Sequence, residues 1–236
     1  KALAIKFTTE GWLVAASARR ENLLQELNNN NLNIHSFPLD VRDESQTKKI
    51  FQNIIEKFKT IDIAVYCTGI HDPEAEKKLS SEKIREIMET NFFGTVNCIM
   101  AVNEHFKERK SGHISIVSSV ASYRGLPVAS GYCASKAALT SLAESLYFNF
   151  KRYGVRVSVV NPGFIKTPMT DKNKFPMPMI KSAEYAAEKM FIGLTKKNAF
   201  EIHFPIAFTI MMKLLKIIPN WLYFFIVERG AKKINL

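Results

Sequence analysis

The stretch His113-Ile-Ser-Ile-Val117-Ser-Ser119, followed by Tyr132-Cys-Ala-Ser-Lys136, decides the fold of this chain. The apolar run at 113–117 is typical of a short buried strand, and it ends in two serines. The second stretch opens a long run with helical spacing, so a strand is followed by a helix. Tyr132 and Lys136 are four residues apart and therefore share one face of that helix.

These three side chains, Ser119, Tyr132 and Lys136, are suited to moving a proton. A free phenol has a pKa of about 10 and is a poor base at neutral pH. A cation beside it favours the phenolate, so we expect Lys136 to lower the pKa of Tyr132. Ser119, at the strand end, can donate a hydrogen bond to the same substrate oxygen. The sequence therefore predicts a site that transfers a proton to or from a carbinol oxygen.

Outward from this stretch, short apolar runs alternate with amphipathic runs, which is the pattern of right-handed βαβ units. Strands are predicted at residues 13–17, 34–37, 61–67, 113–117, 155–160 and 200–204. Helices are predicted at residues 44–58, from Ser80 or Ser81 to about 106, and from the Tyr132 region to about 153. We find no linker or repeat in the sequence, so residues 1–236 are predicted to form one α/β domain. Its sheet would be doubly wound and mostly parallel, with helices on both faces.

The charge and cysteine content of the chain indicate which partners and which compartment to expect. The net charge is +11 and the isoelectric point is near 9.5, but the basic residues are scattered and not interleaved with aromatic residues. We therefore expect solvated lysines and no nucleic-acid partner. Three widely spaced cysteines, without disulfide or metal-ligand spacing, indicate a reducing, cytoplasmic compartment. The five histidines are isolated in sequence and are assigned no role: His35, His71, His105, His113 and His203.

From residue 1 to about residue 200, the chain resembles the short-chain dehydrogenase/reductase family. The spacing of Ser119, Tyr132 and Lys136 is similar to the catalytic signature of that family, and further family motifs follow in order. Leu13-Val-Ala-Ala-Ser-Ala-Arg19-Arg20 resembles its second strand and cofactor-selecting turn. The other matches are Asp40-Val41, Asn91 in Thr90-Asn-Phe-Phe-Gly94, Asn161-Pro-Gly163, and Thr167. The resemblance implies a Rossmann-type fold and a nicotinamide dinucleotide cofactor.

The resemblance implies a role for each catalytic candidate. Tyr132 would donate the proton in carbonyl reduction and accept it in alcohol oxidation. Ser119 would polarise the carbonyl, whereas Ser118 would face the structure. Lys136 would bind the nicotinamide ribose and lower the pKa of Tyr132. Asn91 would expose a backbone carbonyl at a local helix kink and bind a water in a proton relay, unless it is an incidental polar residue of the helix.

The resemblance also implies which residues bind the cofactor. Arg19 stands where NAD-preferring relatives carry an acidic residue, and a guanidinium there favours the 2′-phosphate of NADP(H), assisted by Arg20. The alternative is a surface arginine at the start of a helix. Asp40 and Val41 would contact the adenine, unless Asp40 caps the next helix instead. Thr167 and the backbone of Ile165 would contact the nicotinamide carboxamide, and Pro162 and Gly163 would shape that turn. Gly69 would also contact the cofactor.

Two features depart from the family pattern. The glycine-rich turn between the first strand and the first helix is not found, and residues 1–7 resemble the middle of that helix. We therefore expect one strand and a glycine turn, about a dozen residues, upstream of Lys1. The chain also has Tyr66-Cys-Thr-Gly69 where the family has Asn-Asn-Ala-Gly. These departures leave a second hypothesis open, a catalytically weak binding or regulatory protein with impaired dinucleotide binding.

The segment after Thr167 would be the variable substrate lid, so residues 168–236 are interpreted as a lid and an apolar C-terminal helical tail. Residues 204–227 are strongly apolar, but Lys213, Lys216 and Pro219 keep every uncharged run below the roughly 20 residues that span a bilayer. Three interpretations stay open: a lid over a bulky apolar or lipid-like carbonyl or alcohol, a subunit interface, or amphipathic helices at a membrane surface. The resemblance also implies a homo-oligomer, formed through the helices that carry Asn91 and Tyr132.

Overall fold

The computed structural model describes residues 1–232 of the chain. Every strand pairing within these residues is parallel. A two-stranded sheet consists of β1 (Val14–Ala18) and β2 (Ile34–Pro38). A four-stranded sheet has its strands in the order β3 (Ile63–Tyr66), β4 (Gly112–Val117), β5 (Val155–Pro162) and β6 (Glu201–Phe204).

Helices precede, separate and follow the strands. They are α1 (Ala2–Thr9), α2 (Glu21–Asn29), α3 (Glu44–Phe58), α4 (Pro73–Glu76), α5 (Ser81–Met88), α6 (Gly94–Arg109), α7 (Ser130–Lys151), α8 (Ala183–Thr195), α9 (Ile206–Ile217) and α10 (Asn220–Lys232). The helix predicted at residues 44–58 has the same bounds in the structure.

Alternate residues of the four-stranded sheet face two separate cores. Ala64 and Tyr66 of β3 pack on one side with residues of α6 and α7. Ile63 and Val65 pack on the other side with residues of α1 and α8, and Val14 of β1 packs against the same cluster. Because both faces of the sheet are covered, its strands are rich in buried aliphatic residues. The predicted doubly wound, parallel α/β fold with helices on both faces is confirmed.

The long helix predicted from Ser80 or Ser81 to about residue 106 is interrupted. Its first part, α5, begins after Ser80, whose hydroxyl accepts a hydrogen bond from the Lys83 N–H at 3.4 Å. A π-helical turn (Glu89–Phe93) then separates α5 from α6, and Asn91 lies at its centre. The local distortion expected at Asn91 is therefore present as a widened turn of the helix.

The carboxyl ends of β3, β4 and β5 lie side by side at one edge of the sheet, because these strands pair in parallel. Gly69 follows β3, Ser119 follows β4 and Gly163 follows β5. Ligands of open α/β sheets bind at this carboxyl edge. The helix α7 begins on the loop that leaves β4 there, so it carries Tyr132 and Lys136 to the same place.

The segment assigned to lid and tail is smaller than predicted. Residues 168–236 include α8 and β6, and both belong to the layered core, where Phe191 and Phe204 are buried. Residues 168–182 and the helices α9 and α10 are therefore the part that remains available for the predicted lid and tail. On α9, Phe208 and Met212 pack against Val120 in the loop that follows Ser119. Among the helices of residues 1–232, none has the length and apolar character needed to cross a bilayer.

Candidate active site

Tyr132 and Lys136 lie on one face of α7, as their spacing predicts. The Lys136 Nζ atom is 5.7 Å from the centre of the Tyr132 ring. The same atom donates a hydrogen bond of 2.9 Å to the carbonyl oxygen of Val117, the last residue of β4. Since Lys136 is only 4% exposed, its buried ammonium joins α7 to the carboxyl end of this strand.

Burial dominates the acid–base properties of this pair. It raises the pKa of Tyr132 to about 12, although Ser119 opposes the shift as a hydrogen-bond partner. It also lowers the pKa of Lys136 to about 8. The expectation that Lys136 lowers the pKa of Tyr132 is wrong for this arrangement, because the ammonium is directed at the Val117 carbonyl and loss of water favours the neutral phenol. Tyr132 is therefore protonated at neutral pH and can act as a proton donor.

The two serines that follow β4 have different surroundings. The Ser118 hydroxyl donates a hydrogen bond of 2.8 Å to the Lys136 carbonyl oxygen and lies 3.0 Å from the Thr140 hydroxyl, so it holds the strand end to α7. The Ser119 hydroxyl oxygen accepts a hydrogen bond of 3.1 Å from the Ala121 N–H. A hydroxyl that accepts one bond keeps its own proton for donation. Ser119 can therefore still donate to an oxygen at the site.

Asn91 is fully buried and holds the loop that follows β3. Its Oδ1 atom accepts from the Ile70 N–H at 2.7 Å, and its Nδ2 atom donates to the Ile70 carbonyl at 3.1 Å. The Nδ2 atom also donates to the Ser135 hydroxyl, which in turn donates to the Tyr132 carbonyl. The Asn91 carbonyl accepts from the Thr95 hydroxyl at 2.8 Å. Asn91 is thus not an incidental polar residue of the helix.

Gly69 lies next to both the Lys136 ammonium and the Asn91 side chain. A Cβ atom at this position would be 3.3 Å from Lys136 Nζ and 3.7 Å from Asn91 Oδ1. The glycine therefore leaves space beside the ammonium, where the backbone can approach a ligand closely. Tyr66, the first residue of the altered motif, instead points into the core, and its hydroxyl donates to the Cys98 carbonyl.

The residues expected at the adenine end follow β1 and β2. Arg19 and Arg20 are exposed, and Arg20 precedes α2 without a capping hydrogen bond from its side chain. The Asp40 carboxylate is held by the Arg42 guanidinium, with 2.6 Å between Oδ2 and Nη2. Hydrogen bonds from Arg42 lower the pKa of Asp40, and the nearby charge of Arg19 lowers it further. Arg19 and Asp40 therefore lie near each other at this end of the sheet.

The alternative role for Asp40 is wrong. The helix α3 is capped by Asp43, whose carboxylate accepts a hydrogen bond of 2.8 Å from the Gln46 N–H. Val41 packs against the start of α6, because a Cβ atom on Gly94 would be 2.4 Å from the Val41 Cγ2 atom. Asn97 also donates to the Val41 carbonyl at 2.9 Å. These contacts fix the loop between β2 and α3 against α6.

Pro162 and Gly163 end β5 and turn the chain toward the lid. The Gly163 N–H donates to the Phe204 carbonyl at 2.8 Å. A Cβ atom at Gly163 would be 2.7 Å from the Phe208 ring. A glycine is therefore needed at this position for α9 to approach the end of β5.

The loop after Gly163 is held by its own threonines. The Thr170 hydroxyl donates to the Ile165 carbonyl at 2.7 Å and lies 3.2 Å from the Thr167 hydroxyl. Ile165 also forms an isolated parallel bridge with Lys181. Within the described chain, no hydrogen bond joins Thr167 or Arg19 to the residues around Lys136. The structure thus brings together five of the candidates, namely Gly69, Asn91, Ser119, Tyr132 and Lys136.

His71, which the sequence leaves isolated, is part of this group in the structure. Its ring stacks on the Tyr132 ring, with 4.4 Å between centroids and 30° between planes. The His71 Nδ1 atom lies 2.8 Å from the Glu76 carboxylate, which is almost fully buried. The second oxygen of Glu76 accepts from the N–H groups of Gly131 and Tyr132, at 2.8 and 3.3 Å. Glu76 therefore caps the first turn of α7 from another helix.

Arg124 is a second residue that the sequence did not single out. Its Nη1 atom donates to carbonyl oxygens at the C-terminal end of α9, those of Leu215, Lys216 and Ile218. Its guanidinium is 4.2 Å from the centre of the Tyr223 ring on α10. The Tyr223 hydroxyl in turn donates to the Gly125 carbonyl. The loop that begins at Ser119 is therefore the attachment point of both C-terminal helices.

Comparison with known proteins agrees with this fold. The model of the short-chain dehydrogenase family matches residues 1–178. An uncharacterized oxidoreductase of Myxococcus xanthus (strain DK1622) is 33% identical over 227 residues, which cover 94% of this chain and 89% of that protein. A short-chain dehydrogenase from Streptomyces avermitilis superposes with a TM-score of 0.82 at 21% identity, covering 98% and 94% of the two chains. The closed form of serine dehydrogenase complexed with NADP⁺ superposes with a TM-score of 0.78 at 24% identity. This match covers 87% of this chain and 90% of that chain.

The fold and the polar groups at the carboxyl edge of its sheet define a doubly wound α/β oxidoreductase. The chain belongs to the short-chain dehydrogenase family, because the family model covers most of it and the Myxococcus relative exceeds 30% identity over nearly its full length. The prediction of a nicotinamide dinucleotide cofactor is confirmed: among solved structures of similar fold, ElxO holds NADP or NADPH and serine dehydrogenase holds NADP⁺.

Proposed function

We propose that this oxidoreductase interconverts a carbonyl and a secondary alcohol with NADP(H) as cofactor. The observation that carries the proposal is the convergence of Ser119, Tyr132 and Lys136 beside Gly69, at the carboxyl edge of the sheet. This edge offers a proton donor, a hydroxyl donor and a buried ammonium within one small region. Each of them is a group that carbonyl reduction needs.

Each residue of the site has a separate role in this reaction. Tyr132, protonated at neutral pH because burial raises its pKa, transfers its proton to the substrate oxygen in reduction. Ser119 donates a hydrogen bond to the same oxygen and stabilises the negative charge that develops on it. The Lys136 ammonium, freed from the Val117 carbonyl, bonds the ribose and favours the phenolate left on Tyr132. Asn91 holds the Gly69 loop against α7, and its carbonyl can bind a relay water. The bound dinucleotide supplies the hydride.

We assign the preference for NADP(H) to Arg19. Its guanidinium is exposed just after β1, where a carboxylate would serve the 2′-hydroxyl of NAD. A planar guanidinium suits a phosphate, and Arg20 adds a second positive charge at the same turn. Asp40 does not neutralise this turn, because its carboxylate is bound mainly to Arg42. Titration with NADPH and with NADH measures the affinity for each cofactor, and we expect NADPH to bind more tightly.

A bulky apolar substrate fits the surroundings of Ser119. The loop that follows it carries Val120 and Tyr123, which pack with Phe208 and Met212 of α9. Phe164, after β5, extends this apolar cluster toward the lid. Because this cluster places apolar side chains beside Ser119, we propose a long-chain or otherwise apolar ketone or alcohol as substrate.

A homo-oligomer through α6 and α7 is also proposed. The outer surfaces of the π-helical turn and these helices expose three large apolar side chains, which are Phe93, Met100 and Phe148. Exposed apolar patches of this kind mark interfaces between protein chains.

A reducing, cytoplasmic location is proposed as well, since Cys67, Cys98 and Cys133 are all free thiols.

The variant Tyr132→Phe tests the proposed activity. It removes the proton donor but keeps the ring that stacks on His71. We expect turnover of apolar ketones with NADPH to fall at least about a hundredfold, which is the usual size of a general-acid contribution. NADPH affinity, measured by fluorescence titration, should change by less than about threefold, because Lys136 and Gly69 remain. The matched control Tyr147→Phe, on the same helix but partly exposed, should leave both quantities unchanged.

Undiminished turnover in Tyr132→Phe would contradict the assignment of the proton donor. The alternative function, a binding or regulatory protein with impaired dinucleotide binding, is motivated by the core-facing Tyr66 in the altered motif. Failure of the wild-type protein to bind NADPH or NADH at millimolar concentration would favour this alternative. Tight binding combined with turnover would exclude it.

A further inference from the structure

The two C-terminal helices expose many large apolar side chains. On α9 they recur at helical spacing, so they form one stripe along the helix. On α10 they are aromatic and begin directly after the turn at Pro219. We call this set the apolar outer face; it consists of Ile210, Leu214, Ile217, Trp221, Phe224 and Phe225, which are 48, 56, 76, 71, 62 and 53% exposed.

The packing of the fold does not account for this face. The inward surface of α9 is a different one, formed by the buried residues Phe208 and Met212. On α10 the inward residue is Tyr223, which is 2% exposed and hydrogen-bonded to the loop after Ser119. Arg124 ties the C-terminal end of α9 to α10, so the orientation of both helices is fixed. The tail therefore has two apolar surfaces, and the protein core covers only the inward one.

Positive charge borders the apolar outer face. Residues 206–232 contain four basic residues and one acidic residue, but Lys213 is paired with Glu201 of β6, which leaves a net charge of +2. Lys216 is exposed at the end of α9, and the Arg229 guanidinium is 5.1 Å from the centre of the Phe225 ring. Long cationic side chains beside an apolar stripe can keep their charges in the headgroup layer while their stems stay with the acyl chains.

The charge distinguishes between possible occupants of this face. A second copy packed face to face would bring two segments of charge +2 together, which opposes association. An anionic bilayer supplies both the apolar layer and the complementary charge. The helices contain 12 and 13 residues, too few to span a bilayer but enough to lie in its interface. Trp221 stands at the junction of the helices, and tryptophan is enriched at this depth of a membrane.

We propose that the apolar outer face docks this protein on the surface of an anionic phospholipid bilayer. The helices α9 and α10 lie in the plane of the interface, with their exposed side chains inserted to the headgroup–acyl boundary. This proposal is independent of the proposed activity, because it rests on exposure and charge outside the carboxyl edge. A protein without turnover could still dock in this way.

Flotation of the full-length protein with vesicles tests the proposal. We expect the protein to float with phosphatidylcholine vesicles that contain phosphatidylglycerol, at low ionic strength. Binding to phosphatidylcholine alone should be weaker, and added salt should reduce the difference between the two, because salt screens surface charges. The Trp221 emission should shift to shorter wavelength on binding, as the side chain leaves water.

A triple variant removes the aromatic part of the face, through Trp221→Ser, Phe224→Ser and Phe225→Ser. We expect at least about tenfold weaker vesicle binding, because three large apolar side chains no longer leave water on docking. The matched control Leu32→Ser changes a side chain that is 94% exposed on another part of the chain, and it should bind like wild type. Circular dichroism and thermal unfolding establish that both variants fold.

If the triple variant does not fold, the double variant Lys216→Glu and Arg229→Glu replaces it. It keeps the apolar side chains but reverses the charge, so binding to anionic vesicles should be lost while the fold is retained. Three results would overturn the proposal: no flotation of the wild type at low salt, equal binding by a folded variant and wild type, or a wild-type oligomer that the triple variant converts to monomers. The last result would assign the face to contacts between copies of this chain.

Discussion

At the scale of single residues, the pKa of Lys136 controls how the site responds to pH. Burial lowers it to about 8, so the side chain is an ammonium at pH 7 and largely a neutral amine above about pH 9. Both its hydrogen bond to the Val117 carbonyl and its proposed bond to the ribose use it as a donor. In the proposed function, the positive charge of this side chain also attracts the anionic dinucleotide.

This predicts that NADPH binds less tightly as the pH rises through about 8. Below that value Lys136 is already protonated in the free protein, and affinity should be constant. Above it, binding must first take up a proton, so the dissociation constant should rise by up to about tenfold for each pH unit. Fluorescence titration between about pH 6.5 and about pH 9.5 measures this effect. The variant Lys136→Met should bind weakly at every pH; a wild-type profile as flat as that of the variant would contradict the prediction.

At the scale of elements, the short helix α4 supports the start of α7. Its last residue, Glu76, accepts hydrogen bonds from two N–H groups in the first turn of α7 and pairs with His71. His71 in turn stacks on Tyr132. Three contacts thus connect one buried carboxylate and one imidazole to the segment that carries the proposed proton donor, and a fourth joins the two groups to each other. We therefore regard Glu76 and His71 as positioning residues.

The variant Glu76→Ala should lower the free energy of unfolding by about 1–3 kcal/mol, because it leaves the N–H groups of Gly131 and Tyr132 without their acceptor. Urea unfolding measures this loss. In addition, kcat should fall about tenfold while KM for NADPH changes little, since Tyr132 moves but the cofactor residues do not. The control Glu74→Ala changes an exposed residue of the same helix and should cost less than about 0.5 kcal/mol. Equal effects of the two variants on kcat would rule out a positioning role.

Glu76 and Asn91 make contacts with residues that are distant in the sequence, and local sequence patterns do not predict such contacts. The strands, α3 and α7 were predictable because hydrophobic period and capping residues act over a few neighbouring positions. Asn91 was found through a family resemblance, but the π-helical turn around it depends on its bonds to Ile70, 21 residues away. The contact of Glu76 with Gly131 spans 55 residues and has no local signal. The pKa of Tyr132 also escaped prediction, because burial depends on the whole packed site.

At the scale of the whole molecule, buried polar groups lie at both ends of the sheet. At the carboxyl edge they include Asn91, Ser119 and Lys136, which belong to the candidate site. Toward the opposite end, His113 of β4 lies 2.8 Å from the Ser158 hydroxyl of β5 and is 2% exposed. Its Nδ1 atom has no hydrogen-bond partner among the residues described. This second polar group has no place in the proposed chemistry, so its effect should be on stability alone.

His113 should make the stability of the fold depend on pH. Burial, followed by the nearby charge of Arg156, lowers its pKa from 6.5 to about 4. Between these values the unfolded chain binds a proton that the folded chain does not, so stability increases with pH across this range and falls on acidification. Between pH 7 and pH 5 the loss from this residue should be about 2 kcal/mol.

Urea unfolding of wild type and His113→Gln at both pH values isolates this contribution, because carboxylates titrate alike in the two proteins. Glutamine keeps a polar side chain near Ser158 but cannot titrate. The variant should be less stable than wild type at pH 7 and should lose about 2 kcal/mol less on going to pH 5. The activity of the folded enzyme should not show this dependence, since His113 lies away from the carboxyl edge. An equal loss of stability in both proteins would show that His113 takes up its proton in the folded state as readily as in the unfolded chain.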